Sequence, residues 1–339
     1  MRKSAGNRGG RWLLASLLGL ALTTFTLAAP PPENVQFETV DEVTLRGTYY
    51  PSDLGTKAPC ALILPHIGTS HQHPGWQALA ERLQYRGYAV LLFDYRGHGA
   101  STAVSPAFWK VAVNNAIKGA NLKKSDIHVK DFPPSYLPML VNDIAAARRY
   151  LDTRNDLERC NSSNLLLIGE REGATLGTLW LATEWRRRPS RENPGGGELP
   201  QRGQEVMCGV WLSMSPTLGR APVSTKNFAK WMQSLRERTP MAFIYGTDDM
   251  TSARYAKAIC EQILQVDTPP RLKLTAGKGV KTTAAGVNLL QKGLDVDKLI
   301  LNYVDNIRQE REDLPWVDHQ IRKEFFDFVS MKAFGFAGP

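Results

Sequence analysis

Five short apolar runs constrain this chain more than any other feature. They are Ala61–Pro65 (ALILP), Tyr88–Asp94 (YAVLLFD), Asn164–Ile168 (NLLLI), Val206–Met214 and Met241–Tyr245. None alternates polar with apolar, so each predicts a strand covered on both faces, as in a parallel sheet. Helical spacing fills the intervals: Trp76–Tyr85 (closed by Gly87), Tyr136–Leu151 with Leu137, Leu140, Val141, Ile144 and Ala145 on one stripe, Gly173–Trp185, and about Ser252–Gln265. Strands alternating with helices of this length predict an α/β architecture with a mostly parallel central sheet flanked by helices. Val35–Val40 and Thr44–Tyr50 alternate instead, and predict an N-terminal antiparallel hairpin. Arg271–Leu274 is the last strand expected, and residues 285–335 read as mostly helical, broken near Leu314-Pro315. Two stretches without regular spacing, about 102–135 and 186–204, read as insertions. In 339 residues no linker separates two complete cores, so a single domain over 29–339 is expected.

The N-terminus reads as a targeting segment. Arg2, Lys3, Arg8 and Arg11 precede an uncharged apolar run, Trp12–Ala28, that ends in a small-x-small cleavage pattern. This is the layout of a cleaved signal peptide over 1–28, and a retained signal anchor is the alternative. A secreted or periplasmic location follows, with membrane attachment only if the segment is kept. The net charge of +9 loses four units with that segment. The basic run Arg186–Arg188 has no interleaved aromatics, so no nucleic-acid partner is expected. Cys60, Cys160, Cys208 and Cys260 form no CxxC pair and leave both disulfides and buried thiols open.

Four stretches, in order, carry a recognisable pattern: ALILPHIGTSHQHPGW, GYAVLLFDYRGHGAS, LLLIGEREGATLG and PMAFIYGTDDMTSARYAKAI. Together they resemble the α/β-hydrolase superfamily of serine-hydrolase-like proteins. In that family the first stretch holds a loop whose backbone N–H supplies half of an oxyanion hole. The second resembles its D-x-R-G-x-G-x-S turn. The third aligns with the G-x-Ser-x-G nucleophile elbow. Gly169 and Gly173 keep the elbow's glycines, but Arg171 stands at the nucleophile. The fourth resembles the turn carrying the acid, at Asp249 with Asp248 beside it. The family's His follows the last strand, and the resemblance puts Lys278 there. Ile67, Gly68 and Glu172 are the oxyanion-hole-like positions.

The resemblance therefore implies a catalytically degenerate member. A guanidinium stays protonated and cannot attack a carbonyl. The expected function is an exported protein lacking serine-hydrolase activity that binds a small anionic ligand or a protein partner. The enzyme question leans to no. One alternative is an active esterase or acyl hydrolase with a rearranged nucleophile or metal site, and another is an interaction protein without a pocket function. An Arg171–Asp249 ion pair filling the old site is the structural expectation, and a basic pocket of Arg171 and Lys278 facing Asp249 the functional one.

No cofactor and no firm metal site is expected. His66, His71 and His73 cluster after ALILP and are weak metal candidates; otherwise His66 is structural, and His71 and His73 are exposed loop groups. His98 is expected to be hydrogen-bonded within its turn, and His319 to lie at the surface or at a helix start. Ser70, Ser213 and Ser215 lack the elbow's glycine framing and are poor nucleophiles. Glu170 and Glu172, at i and i+2 of a tight turn, should point apart, which argues against a glycosidase pair.

Overall fold

The computed structural model describes residues 29–186, 202–219, 221–222, 225–264, 276–311 and 314–319. The expected signal segment 1–28, residues 187–201 of the expected second insertion, the expected strand Arg271–Leu274 and residues 320–339 lie outside the described residues.

The strands are β1 (Glu33–Glu38), β2 (Thr44–Tyr50), β3 (Pro59–Leu64), β4 (Ala89–Phe93), β5 (Asn161–Glu170), β6 (Val206–Leu212), β7 (Met241–Gly246) and β8 (Ala276–Val280). They form one eight-stranded sheet in the order β1-β2-β4-β3-β5-β6-β7-β8. β1 and β2 are antiparallel, β2 meets β4 antiparallel, and every later pairing is parallel. The helices are α1 (Pro74–Tyr85), α2 (Val141–Asp156), α3 (Arg171–Arg186), α4 (Thr225–Leu235), α5 (Met250–Ala258) and α6 (Val296–Gln309).

The central strands β3, β4, β6 and β7 are apolar because both faces are covered, and so is β5 between its polar start at Asn161–Asn164 and Glu170. Along β3, Cys60, Leu62 and Leu64 join the core under α2–α5, while Ala61 and Ile63 join the core under α1 and α6. β5 divides the same way, with Leu165 and Leu167 on one side and Leu166 and Ile168 on the other. The α/β sheet, the N-terminal hairpin and the flanking helices are as expected from the sequence. α4 is an additional helix. It buries Phe228, Trp231, Met232 and Leu235, spaced i, i+3, i+4 and i+7. A strand that was not expected lies at Ala276–Val280.

The 102–135 stretch consists of short 3-10 turns, as its irregular spacing implied. A buried charge network fastens it. Arg96, fully buried, reaches Asp41 at 2.7 Å and Asp143 at 2.7 Å. Asn114, within the insertion, donates to Asp41 at 3.1 Å and accepts from Tyr136 Oη at 2.8 Å. All four cysteines are buried free thiols. No described helix is long and apolar enough to cross a membrane.

His319 departs from expectation. It lies in the non-helical segment 314–319, and its side chain is only 2% exposed. Its Nε2 lies 3.1 Å from Glu205, inside a cluster in which Arg148 meets Asp152 at 2.8 Å and Glu205 at 2.5 Å, and Arg202 meets Asp152 at 2.8 Å. Burial alone raises the Asp152 carboxyl, but Arg148, Arg202 and His319 outweigh it and hold the group well below its ordinary range. Glu205 is lowered likewise: burial opposes, and Arg148 and His319 prevail. A carboxyl lowered in the folded state contributes stability above its unfolded pKa and loses it as pH falls through the folded value. Asp152→Asn is therefore expected to cost about 3 kcal/mol at neutral pH. It should also flatten the loss of stability below about pH 4. Urea-unfolding midpoints across a pH series check both.

Candidate functional site

The site lies where β5 turns into α3. Arg171 begins the helix with φ +44°, a left-handed conformation that costs a non-glycine residue about 1–3 kcal/mol. The flanking glycines make this turn possible. A Cβ on Gly169 would meet the Ala174 backbone at 2.8 Å, and one on Gly173 would meet Pro65 O at 2.3 Å and Leu64 O at 2.4 Å. The strained strand-to-helix elbow is thus fully built, with an arginine at its apex.

The acid turn and the last strand do not converge on it. Asp249 caps α5, its Oδ2 accepting from Ser252 Oγ at 2.5 Å, and the expected Arg171–Asp249 ion pair does not form. Asp248 pairs with Lys281 at 2.7 Å. Lys278 lies within β8, not in the loop after it. Register aligns it with Ile244, Ile244 with Leu212, and Leu212 with Glu170. Three strand spacings, about 14 Å, therefore separate Lys278 from the elbow. The basic pocket of Arg171 and Lys278 facing Asp249 is corrected accordingly. The loop that reaches the elbow is the segment after β8, through Gly286, and not Lys278.

Glu170 joins that loop to the elbow. Its carboxylate is 2% exposed and accepts three N–H donors: His66 N at 3.1 Å, Trp76 Nε1 at 3.3 Å and Val287 N at 2.5 Å. These come from the loop after β3, from α1 and from the segment after β8. Gly286 lies directly over it with φ +59°, and a Cβ there would sit 2.2 Å from Glu170 Oε2 and 3.3 Å from Arg171 Nε. Arg171 is exposed, and among the described residues it makes no ion pair.

The 66–73 loop is pinned at both ends. Asp94 accepts from His71 N at 2.7 Å and lies 2.9 Å from His71 Nδ1. Burial raises the Asp94 carboxyl, but its bonds to His71 and Ser70 lower it further. A Cβ on Gly99 would sit 2.0 Å from Asp94 Oδ2, which accounts for glycine in the RGHGAS turn. His73 caps α1 by accepting from Gly75 N at 3.1 Å. His71, expected to be exposed, is 5% exposed. The three histidines thus serve three separate partners, and among the described residues no group of three or more ligating side chains gathers for a metal.

Between these pins the backbone N–H groups of Ile67 and Gly68 have no intramolecular acceptor among the described residues. Gly68 has φ +94° and open space where a Cβ would be. The Glu172 amide is in the first turn of α3, beyond reach of an intrahelical carbonyl. The oxyanion-hole-like positions are therefore present as donors. His98 Nδ1 lies 2.8 Å from Arg96 O within its turn. His66 Nδ1 is hydrogen-bonded to Glu172 Oε2. Sequence reasoning used Glu172 only for its amide and missed both this pair and the part played by Glu170. The one available signal was a carboxylate closing an otherwise apolar strand, LLLIGE.

No family model and no curated protein sequence matches this chain. Solved structures do. An esterase from Pyrococcus furiosus shares 17% identity, with TM-score 0.52 over 81% of this chain and 91% of its own. A putative α/β hydrolase from Agrobacterium tumefaciens shares 17% identity, with TM-score 0.52 over 84% and 99%. A dienelactone hydrolase from Anabaena variabilis shares 16%, with TM-score 0.50 over 82% and 99%. The chain has the α/β-hydrolase fold.

Glu170→Ala strands two buried donors, Trp76 Nε1 and the Val287 amide, and the part-buried His66 amide, so a loss of about 3 kcal/mol is expected. It should be accompanied by a changed Trp76 emission, both measured by fluorescence-monitored urea unfolding. Gly173→Ala forces a methyl into two carbonyl oxygens and is expected to cost about 1–3 kcal/mol in the same assay.

Proposed function

We propose that this chain is an exported α/β-hydrolase-fold protein that has lost serine-type hydrolysis and uses the altered elbow to bind a small anionic ligand. One observation carries the reading. The apex of the elbow holds Arg171, and Gly286 above it has no room for a side chain because Glu170 Oε2 occupies the space. Neither a serine nucleophile nor a histidine base stands at these positions, and nucleophilic catalysis of the triad type needs both. What remains is suited to an anion. The Arg171 guanidinium offers a bidentate fork, the Glu172 amide lies at the N-terminus of α3, and the amides of Ile67 and Gly68 follow His66, which is bonded to Glu170 and Glu172. Carboxylates and phosphates fit that donor set. Export is supported by the basic residues and apolar run at the N-terminus.

Two measurements on the protein lacking residues 1–28 test this reading. A fluorophosphonate probe is expected to label no serine. Succinate and inorganic phosphate are expected to raise Tm in proportion to their binding, and Arg171→Ala is expected to abolish the shift. A labelled serine, or a shift that survives Arg171→Ala, overturns it.

A further inference from the structure

We propose that His66 and Glu172 form a water-activating base at the mouth of the elbow, and that the anion bound there is the carboxylate arm of an ester. This rests on the anion-binding reading for Arg171 and adds a reaction to it.

The pair has the geometry of an oriented imidazole. Glu172, on the first turn of α3, accepts from Nδ1 of His66, on the loop after β3. The Glu172 side chain is 12% exposed and the His66 side chain 31%. The carboxylate is thus largely covered, while the imidazole reaches solvent. A carboxylate on Nδ1 fixes the tautomer that leaves Nε2 as the lone-pair nitrogen. It also stabilises the imidazolium once Nε2 takes a proton. Independently, the His66 backbone is held by Glu170 Oε1 at 3.1 Å, so the base is fixed to the frame of the elbow rather than carried on a free loop.

Other charged groups near His66 are compatible with this role. Glu170 is committed to its three N–H donors. Burial lowers the His98 imidazole and outweighs the bonds to Arg96 and Tyr95 and the charge of Asp94, which raise it. Arg171, next in chain to Glu172, is the free cation of the site among the described residues. It suits a carboxylate held apart from the reacting carbonyl. The unpaired Ile67 and Gly68 amides and the Glu172 amide are then the donors for the carbonyl oxygen.

The step balances without a covalent enzyme intermediate. Nε2 of His66 removes a proton from water as the water oxygen bonds to the ester carbonyl carbon. The carbonyl π electrons move to oxygen, which the amides hold. The tetrahedral species collapses, the carbon–oxygen bond to the alcohol breaks, and the leaving oxygen takes the proton from His66. One ester and one water give one acid and one alcohol. A monoester of a dicarboxylic acid is the substrate class, since it carries the free carboxylate and the ester on one short chain.

The test uses 4-nitrophenyl hydrogen succinate, with neutral 4-nitrophenyl acetate beside it, on the protein lacking residues 1–28. Expected are turnover without a burst, an unchanged protein mass during turnover, and an acid limb in the pH profile of kcat/KM. His66→Gln should lower kcat by about 10²-fold or more, the ordinary contribution of a general base. Glu172→Gln should lower kcat and alter the acid limb, and it decides the matter if His66→Gln does not fold. Arg171→Ala should raise KM for the succinate ester by a larger factor than for the acetate. Succinate stabilisation without His66-dependent turnover overturns the base and leaves the anion site standing. His66-dependent turnover of the acetate, with no succinate effect, overturns the anion site and keeps the base. Turnover at equal rate in both His66 and Glu172 variants overturns the proposal.

Discussion

One buried carboxylate organises the functional end of this sheet. Glu170 ends β5 and accepts hydrogen bonds from three elements that are far apart in sequence: the loop after β3, helix α1 and the segment after β8. A buried carboxylate is costly unless its lone pairs are met, so this position requires all three elements to be in place together. The consequence reaches the chemistry. With Glu170 filling the space under Gly286, the loop facing the elbow closes on it as bare backbone. At Gly286 that loop has no room for a side chain beside the elbow.

The surrounding parts follow from that constraint. Asp94 holds the far end of the 66–73 loop as Glu170 holds the near end, and between them Gly68 has open space where a Cβ would be. Asp249, which a triad would turn toward a histidine, is taken up in capping α5. Charge at the site is rearranged rather than removed. Arg171 projects where a hydroxyl would stand, and His66 draws on a carboxylate from the elbow itself rather than from the acid turn.

Much of the fold was legible in the sequence, for a physical reason. Strands buried on both faces are mostly apolar, and β3 to β7 carry that mark, β5 only over Leu165–Ile168. α4 was missed, although Phe228, Trp231, Met232 and Leu235 keep helical spacing. β8 was not legible: Ala276–Val280 (AGKGV) is an exposed edge strand with two glycines and a lysine, so no hydrophobic pattern marks it. That failure moved Lys278 into the site on paper, although register places it three strands away. The altered apex at Arg171 could be read from G-E-R-E-G, because small residues at fixed spacing encode a close backbone approach. The bonds of Glu170 and the His66–Glu172 pair could not, because they join residues about a hundred positions apart through contacts that leave no periodic trace.

The central claim is that the elbow is a working anion site built from backbone amides and Arg171. Amide proton–nitrogen NMR of the protein lacking residues 1–28, titrated with succinate, tests it most directly. Saturable shifts at the amides of Ile67, Gly68 and Glu172, absent in Arg171→Ala, are the expected result. Saturable shifts confined to other regions, or none at those three amides, would contradict it.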